Sequence, residues 1–301
     1  MIYDIRHVTT YTYDSPVAAT RCTLRLIPCS VAGQEVLSHA IDISPDARCH
    51  DYTTFFGTRT IDAAIDQQHR ELRIEARSRV AVAREMHPQS EAGQSWEQVR
   101  DRAAEQSLAP RSPVHMLFAS PCVPLSDTIT AYAGRSFTAG RDVLAGAIDL
   151  MHRIRADFTY DPRATLVSTP LRDAFAKRRG VCQDFAHIMI CGLRGLGLPA
   201  AYVSGYLRTT PPPGRPRLQG ADATHAWVSV WCGRAGWIGL DPTNDMLVSD
   251  DHIVLSTGRD YGDVSPVDGI MRSSGGQRLA VAVDVIPVGE EPPSGVLQRP
   301  A

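Results

Sequence analysis

Residues 180–199 read GVCQDFAHIMICGLRGLGLP. Apolar side chains fall at 182, 185, 186, 189, 190, 193 and 196, the i, i+3, i+4 series of a helix that buries one stripe. Gly195, Gly197 and Pro199 supply its stop. The stripe begins at Cys182, which places a thiol at a helix mouth. Unpaired N–H groups and a partial positive charge there favour a thiolate and can bind an oxyanion formed beside it. A cysteine that merely fills space at this position is the plain alternative, so the reading turns on finding a base.

Of the ten histidines, His187 is nearest in sequence, but five helical steps rotate it about 140° away from Cys182. Downstream, His225 opens HAWVSVW, in which Ala226, Val228 and Val230 form a face suited to packing on the helix and His225, Trp227, Ser229 and Trp231 share the other. A turn, CGRAG, leads into WIGLDPTND, where Asp241 ends a short strand and Pro242 breaks it. Asp241 meets His225 on one face only in a register such as Trp231 opposite Trp237 and Trp227 opposite Asp241. In that register Cys182, His225 and Asp241 form a thiolate, imidazolium and carboxylate relay for acyl transfer.

Away from this segment the chain changes texture. YDIRHVTTYTY, AATRCTLRLIP, EVLSHAIDI and RELRIEARSRVAVA alternate apolar and polar residues between Pro, Gly, Ser and Asp clusters, and predict a small antiparallel sandwich over 1–88. A polar, proline-flanked connection with a short helix near 96–105 runs through 89–140. The core is expected over 141–290, with helices before Phe158 and at 170–178, strands at 200–207, 224–231 and 237–240, and a closing strand RLAVAVDVIPV. A proline-rich excursion containing PPPGRP interrupts the strands, and 291–301 reads as a disordered tail.

Composition excludes several classes. The 301 residues are 43% hydrophobic and 21% charged with a formal net charge of −2, an ordinary globular balance that argues against a general nucleic-acid binder. No stretch approaches the roughly 18 apolar residues of a membrane helix, and the N-terminus lacks a signal-peptide core, so the expected location is the cytoplasm. Lys177 is the sole lysine and is followed by Arg178, which removes a P-loop, and it sits in a solvated basic helix unsuited to Schiff-base chemistry. The seven cysteines are scattered without a Cys-x-x-Cys pair, as expected of thiols in a reducing compartment. His69-Arg70-Glu71 opens a deaminase pattern, but Pro121-Cys122 has no second cysteine behind it.

The residues from GVCQDFAHIMICGLRGLGLPAAYVSGYL through THAWVSVW and GWIGLDPTND resemble the core of the transglutaminase-like superfamily, which works by a papain-like thiol mechanism. HVTTYTYDSPV and LRLIP are similar to the β-domain that precedes this core in many bacterial members, and GRDYGDVSPVDGIMRSSGG resembles their C-terminal part. The resemblance implies an α+β fold, helices on an antiparallel sheet after a small all-β domain. It assigns Cys182 as nucleophile, His225 as general base and then acid, and Asp241 as the residue orienting the histidine.

Other positions keep two readings. Tyr160 and Gln183 are candidates for oxyanion or substrate contacts, with core packing the alternative for Tyr160. Trp227 either borders the cleft or packs in the core. Asp184 reads as a clamp on Arg178, Arg179 or a nearby backbone N–H rather than a direct participant, and Asn244 as a substitute orienter or a loop cap.

The expected substrate is a peptide or protein, cleaved at an amide through a thioester, since bacterial members of the resembled family are more often hydrolytic than cross-linking. The alternatives are transfer to an amine and a non-catalytic binding module on the same fold. No D-x-D-x-D-G loop occurs, so neither calcium nor another metal or cofactor is expected, and no membrane or nucleic-acid partner.

Overall fold

The computed structural model describes residues 1–84, 93–104, 107–110, 112–209, 222–272, 275–289 and 299–300. The PPPGRP excursion and most of the expected tail lie outside them. Six strands open the chain: β1 (Ile2–Val17), β2 (Ala19–Leu24), β3 (Gln34–Ser44), β4 (Arg48–Thr53), β5 (Arg59–Ile65) and β6 (His69–Val82). Helices α1 (Trp96–Ala104), α2 (Asp127–Gly134) and α3 (Val143–Asp157) follow, then β7 (Thr159–Tyr160), α4 (Leu171–Lys177), β8 (Arg179–Gly180) and α5 (Cys182–Gly195). The rest of the chain supplies β9 (Ala200–Leu207), β10 (Ala223–Trp231), β11 (Trp237–Asp241), β12 (Met246–Leu247), β13 (His252–Gly258), α6 (Tyr261–Val264), β14 (Val267–Arg272), β15 (Gln277–Pro287) and β16 (Arg299–Pro300).

The opening strands form two sheets of a sandwich, ordered β16-β15-β1-β6-β3 and β14-β2-β5-β4. Its membership corrects the expected division of the chain. The closing strand β15 was expected in the core, yet it pairs antiparallel along β1 from Tyr3 opposite Pro287 to Tyr13 opposite Gln277, and β14 pairs with β2. The reason is that an alternating strand announces a face to bury, not the partner that covers it. Within the expected tail, Arg299–Pro300 adds a short strand beside Ala280 and Val281.

The second unit is a sheet ordered β12-β11-β10-β9-β13, with α5 packed on it. Every residue from Asp184 to Arg194 is buried, because α2 closes on the side of α5 away from the sheet. Gly192 permits that approach: a Cβ there would lie 2.6 Å from Ala133 Cβ. Gly197, at φ +78°, ends the helix, with Leu198 N–H donating to Leu193 O and Gly197 N–H to Arg194 O, the paired bonds of a Schellman stop. Arg194 itself is buried, and its guanidinium donates to the carbonyls of Met116, Phe118, Ala200 and Arg259.

One face of β1 links the two units. Tyr3 and Ile5 join Tyr206, Ile253, Leu255, Val283 and Val285 in a core shared between the sandwich and the second sheet. Tyr13 and Val17, further along, belong to the sandwich interior with Leu24, Ile65 and Leu72. Each such side chain contributes about 1.5–3 kcal/mol on full burial, so the shared core is a substantial attachment. Between the two clusters, on the same face, lie His7, Thr9 and Tyr11.

Candidate active site

Cys182 is the first residue of α5 and is half-buried. The chain enters the helix through Gly180 and Val181, and Asp184 holds that entry. Its Oδ2 accepts from Val181 N–H at 2.8 Å and from the Thr165 hydroxyl at 2.7 Å. Gly180 makes room for the clamp, since a Cβ there would lie 2.4 Å from Asp184 Oδ2. Of the three partners expected for Asp184, the backbone N–H is the one observed. Arg178 instead lies over the rings of Phe175 and Phe158, 4.1 and 4.6 Å from their centroids, and Arg179 faces Asp161.

The hairpin takes the register that brings histidine and aspartate together: Trp231 lies opposite Trp237 and Val228 opposite Leu240. His225 Nε2 is 2.7 Å from Asp241 Oδ2. That bond leaves Nδ1 uncommitted, and the ring also interacts with Cys182. Burial pushes the imidazole pKa down, but the bond to Asp241 and the bond and charge of Cys182 outweigh it and raise it above the usual histidine range. Asp241 is fully buried. Desolvation works against its ionisation, yet bonds from His225, His252 and Asn244 keep its carboxyl well below the usual range.

A cavity of about 270 Å³ opens in front of the pair. Cys182, Gln183, Tyr202 and His225 form one wall, and His7, Thr9 and Tyr11 of β1 with Leu279 and Val281 of β15 form the other. Gln183 lines it and donates from Nε2 to Val167 O at 3.1 Å. Tyr160 does not: it sits on β7, 52% exposed, outside the lining. Its strand pairs in parallel with β8, so it supports the approach to Cys182 through the backbone. His187 points elsewhere, accepting from Tyr261 N–H at 3.2 Å against the Tyr202 ring. Cys191 and Cys232 are buried, and burial pushes their thiols up to about 11 and about 12.

Two family models match the chain: the bacterial transglutaminase-like N-terminal region over residues 3–81 and the transglutaminase-like superfamily over 130–242. An uncharacterised protein of Mycobacterium tuberculosis is 39% identical over 295 residues, covering 95% of this chain and 92% of that protein. The chain belongs to the transglutaminase-like superfamily. A solved structure of a candidate cysteine protease from Cytophaga hutchinsonii shares the fold of this transglutaminase-like protein, with a TM-score of 0.74 at 20% identity over 97% of this chain and 93% of that one. A protein-glutamine gamma-glutamyltransferase of Pseudomonas aeruginosa is 34% identical over 94 residues, 29% of this chain and 14% of that protein. No helix among the described residues is long and apolar enough to cross a membrane.

The superfamily match ends at 242, and the site of this transglutaminase-like protein continues beyond it. Asn244 stands beside both members of the pair, its Nδ2 3.3 Å from His225 Nε2. Its Nδ2 donates to Asp241 Oδ2 at 2.7 Å, while Thr243 and Asn244 N–H groups donate to Oδ1. His252, which sequence reasoning missed, is fully buried with Nε2 3.2 Å from the same Oδ2. Ser249 N–H donates to its Nδ1, so that nitrogen carries the lone pair and Nε2 carries the proton. His225, Asp241 and His252 are also ligand types within 4.8 Å of one another, but a protonated Nε2 is a hydrogen-bond donor to the carboxylate rather than a ligand. The signal for His252 was present: like His225, it opens an apolar strand, here in SDDHIVL.

Trp227 is the correction among the expected cleft residues. It is 1% exposed and packs with Val203 and Val254, its ring centroid 6.1 Å from His225 and 5.2 Å from His252. It faces a separate cavity of about 310 Å³ that Cys182 does not line. Its bulk supports the two imidazoles from behind.

Proposed function

We propose that this protein hydrolyses an amide bond of a peptide or protein through Cys182, His225 and Asp241. The Cys182 thiolate attacks the carbonyl carbon and forms a C–S bond as the carbonyl pair moves onto oxygen. The N–H groups at the start of α5, that of Cys182 first, receive the oxyanion. The oxyanion collapses, the C–N bond breaks and the His225 imidazolium gives its proton to the departing amine, leaving a thioester. His225 then takes a proton from water, whose oxygen attacks the thioester, and the C–S bond breaks to release a carboxylic acid and restore the thiolate. Asp241 keeps the imidazole orientation and stabilises its charged form. The observation that carries this reading is the 2.7 Å bond from His225 Nε2 to a fully buried carboxylate, with His225 and Cys182 lining the same cavity. Seven free thiols fit a cytoplasmic setting.

Transfer of the acyl group to an amine is the second reading, favoured by the local likeness to the Pseudomonas aeruginosa transferase. Incubation with a peptide library and a primary amine, read by mass spectrometry, separates them. Hydrolysis gives fragments that together gain one water, whereas transfer gives a product joined to the amine. Intact peptides with the wild-type protein, under conditions where Cys182 alkylates rapidly, would leave neither reading standing for the peptides tested. A binding module would show no rapid alkylation and no product.

A further inference from the structure

The cavity in front of Cys182 has a chemical character that its catalytic wall does not explain. Among the described residues that line it there is no Asp, Glu, Lys or Arg. Its apolar lining includes Tyr11, Tyr202, Tyr261, Val267, Leu279 and Val281, and hydroxyl and amide groups such as Thr9, Ser204, Thr224 and Gln183 add polar lining. His7 lies on the far wall, but both of its ring nitrogens are engaged at 2.9 Å, with the Tyr206 hydroxyl and with Thr9 Oγ1. Burial pushes it down to about 4, so it is neutral at physiological pH. The other imidazole of the lining, His225, is paired with Asp241. At the mouth, Val167 lines the cavity while 64% exposed, and its neighbour Leu166 is 75% exposed, so apolar surface continues outward from the cleft.

From this geometry we infer that the interface between sandwich and core is an acyl-specificity pocket that takes an uncharged, largely apolar side chain, selected by Thr9 and Tyr11 of β1 and Leu279 and Val281 of β15. The inference rests on the thiol reading above and names its substrate class. A charged side chain entering this space leaves water without gaining a counter-ion, which costs more than any contact it makes. The volume, about 270 Å³, lies just below the roughly 300–1,000 Å³ of drug-sized ligand pockets and suits one side chain with its adjoining backbone. Thr9 pairs with Val281 and Tyr11 with Leu279 across the β1–β15 ladder, so the selecting surface is one continuous patch of sheet.

The test uses N-acetyl-leucyl, N-acetyl-glutamyl and N-acetyl-lysyl chloromethyl ketones on the full chain, with iodoacetamide as a small reference. In each ketone the thiolate displaces chloride, a C–S bond forming as the C–Cl bond breaks, and peptide mass spectrometry reads the rate at Cys182. Rates are divided by the iodoacetamide rate of the same variant. The leucyl reagent is expected to exceed the other two by roughly 10- to 100-fold. Val281→Lys should raise the glutamyl-to-leucyl ratio by about tenfold. Leu279→Ala, which adds no charge, should slow the leucyl reagent and keep the order. Equal ketone rates in the wild type with rapid iodoacetamide labelling would overturn the pocket and leave the relay intact. Labelling of Cys182 no faster than Cys191 with every reagent would remove the relay and the inference with it.

Discussion

One wall of the cleft comes from α5, β9 and β10, which follow one another closely in the chain, and the other from β1 and β15, which come from its opposite ends. The first is backed by a dense polar arrangement: a fully buried carboxylate accepts from two imidazoles, an amide and two backbone N–H groups. The second is neutral and mostly apolar, with its imidazole engaged at both nitrogens. In the reading proposed above, chemistry belongs to one wall and selection to the other. Buried polar networks tolerate little change, because each partner removed strands another, whereas an apolar wall trades shape for shape at modest cost.

Substitutions in the polar wall should therefore have the largest effects. Asp241→Asn preserves shape but removes the charge that stabilises the imidazolium, and should lower kcat/KM for amide cleavage by roughly 10³- to 10⁴-fold, measured by steady-state kinetics. His252→Leu deletes one donor to Asp241. The carboxylate then concentrates its charge on His225 and the imidazole pKa rises, so the basic limb of the pH–rate profile should move to higher pH, with a roughly tenfold loss of rate as Asp241 loses one of the bonds that fix it. His252→Gln, which restores an N–H donor, should recover most of both. An unmoved pH profile in His252→Leu would mean that the ring only fills space.

A smaller effect concerns the fold. Burial lowers both His7, on the selecting wall, and His187, on α5, to about 4. Unfolded histidine titrates near about 6.5, so the unfolded chain binds more protons between the two values. The stability these groups contribute is fully present above about 6.5 and is lost as pH falls toward 4. The melting temperature should drop by several degrees across that window, and His7→Gln should flatten part of the drop. An identical pH dependence in that variant would exclude His7 as a contributor.

What the chain reveals before folding divides along the same line. The helix at Cys182 and the Trp231–Trp237 register were legible because periodicity, a Schellman stop and a short hairpin are local. The partners of β14 and β15 were not, because alternation in RLAVAVDVIPV is satisfied by any apolar surface and its actual cover lies at the chain's other end. Trp227 was ambiguous for a related reason. A tryptophan beside a histidine suits a cleft or a core equally, and Val203 and Val254 on neighbouring strands decide for the core. Asp184 was read as a clamp from its place in the first turn, but its partner Thr165 lies in a loop that no pattern marks.

The central claim is that His225 activates Cys182. Its most direct test is the rate of iodoacetamide alkylation at Cys182 against pH, in the wild type and in His225→Ala, with Cys191 as internal control. The account predicts that Cys182 is labelled far faster than Cys191 at about pH 6.5, below the usual thiol range, and that the histidine variant loses most of that advantage. Labelling of Cys182 no faster than Cys191, or a rate indifferent to His225, would contradict it.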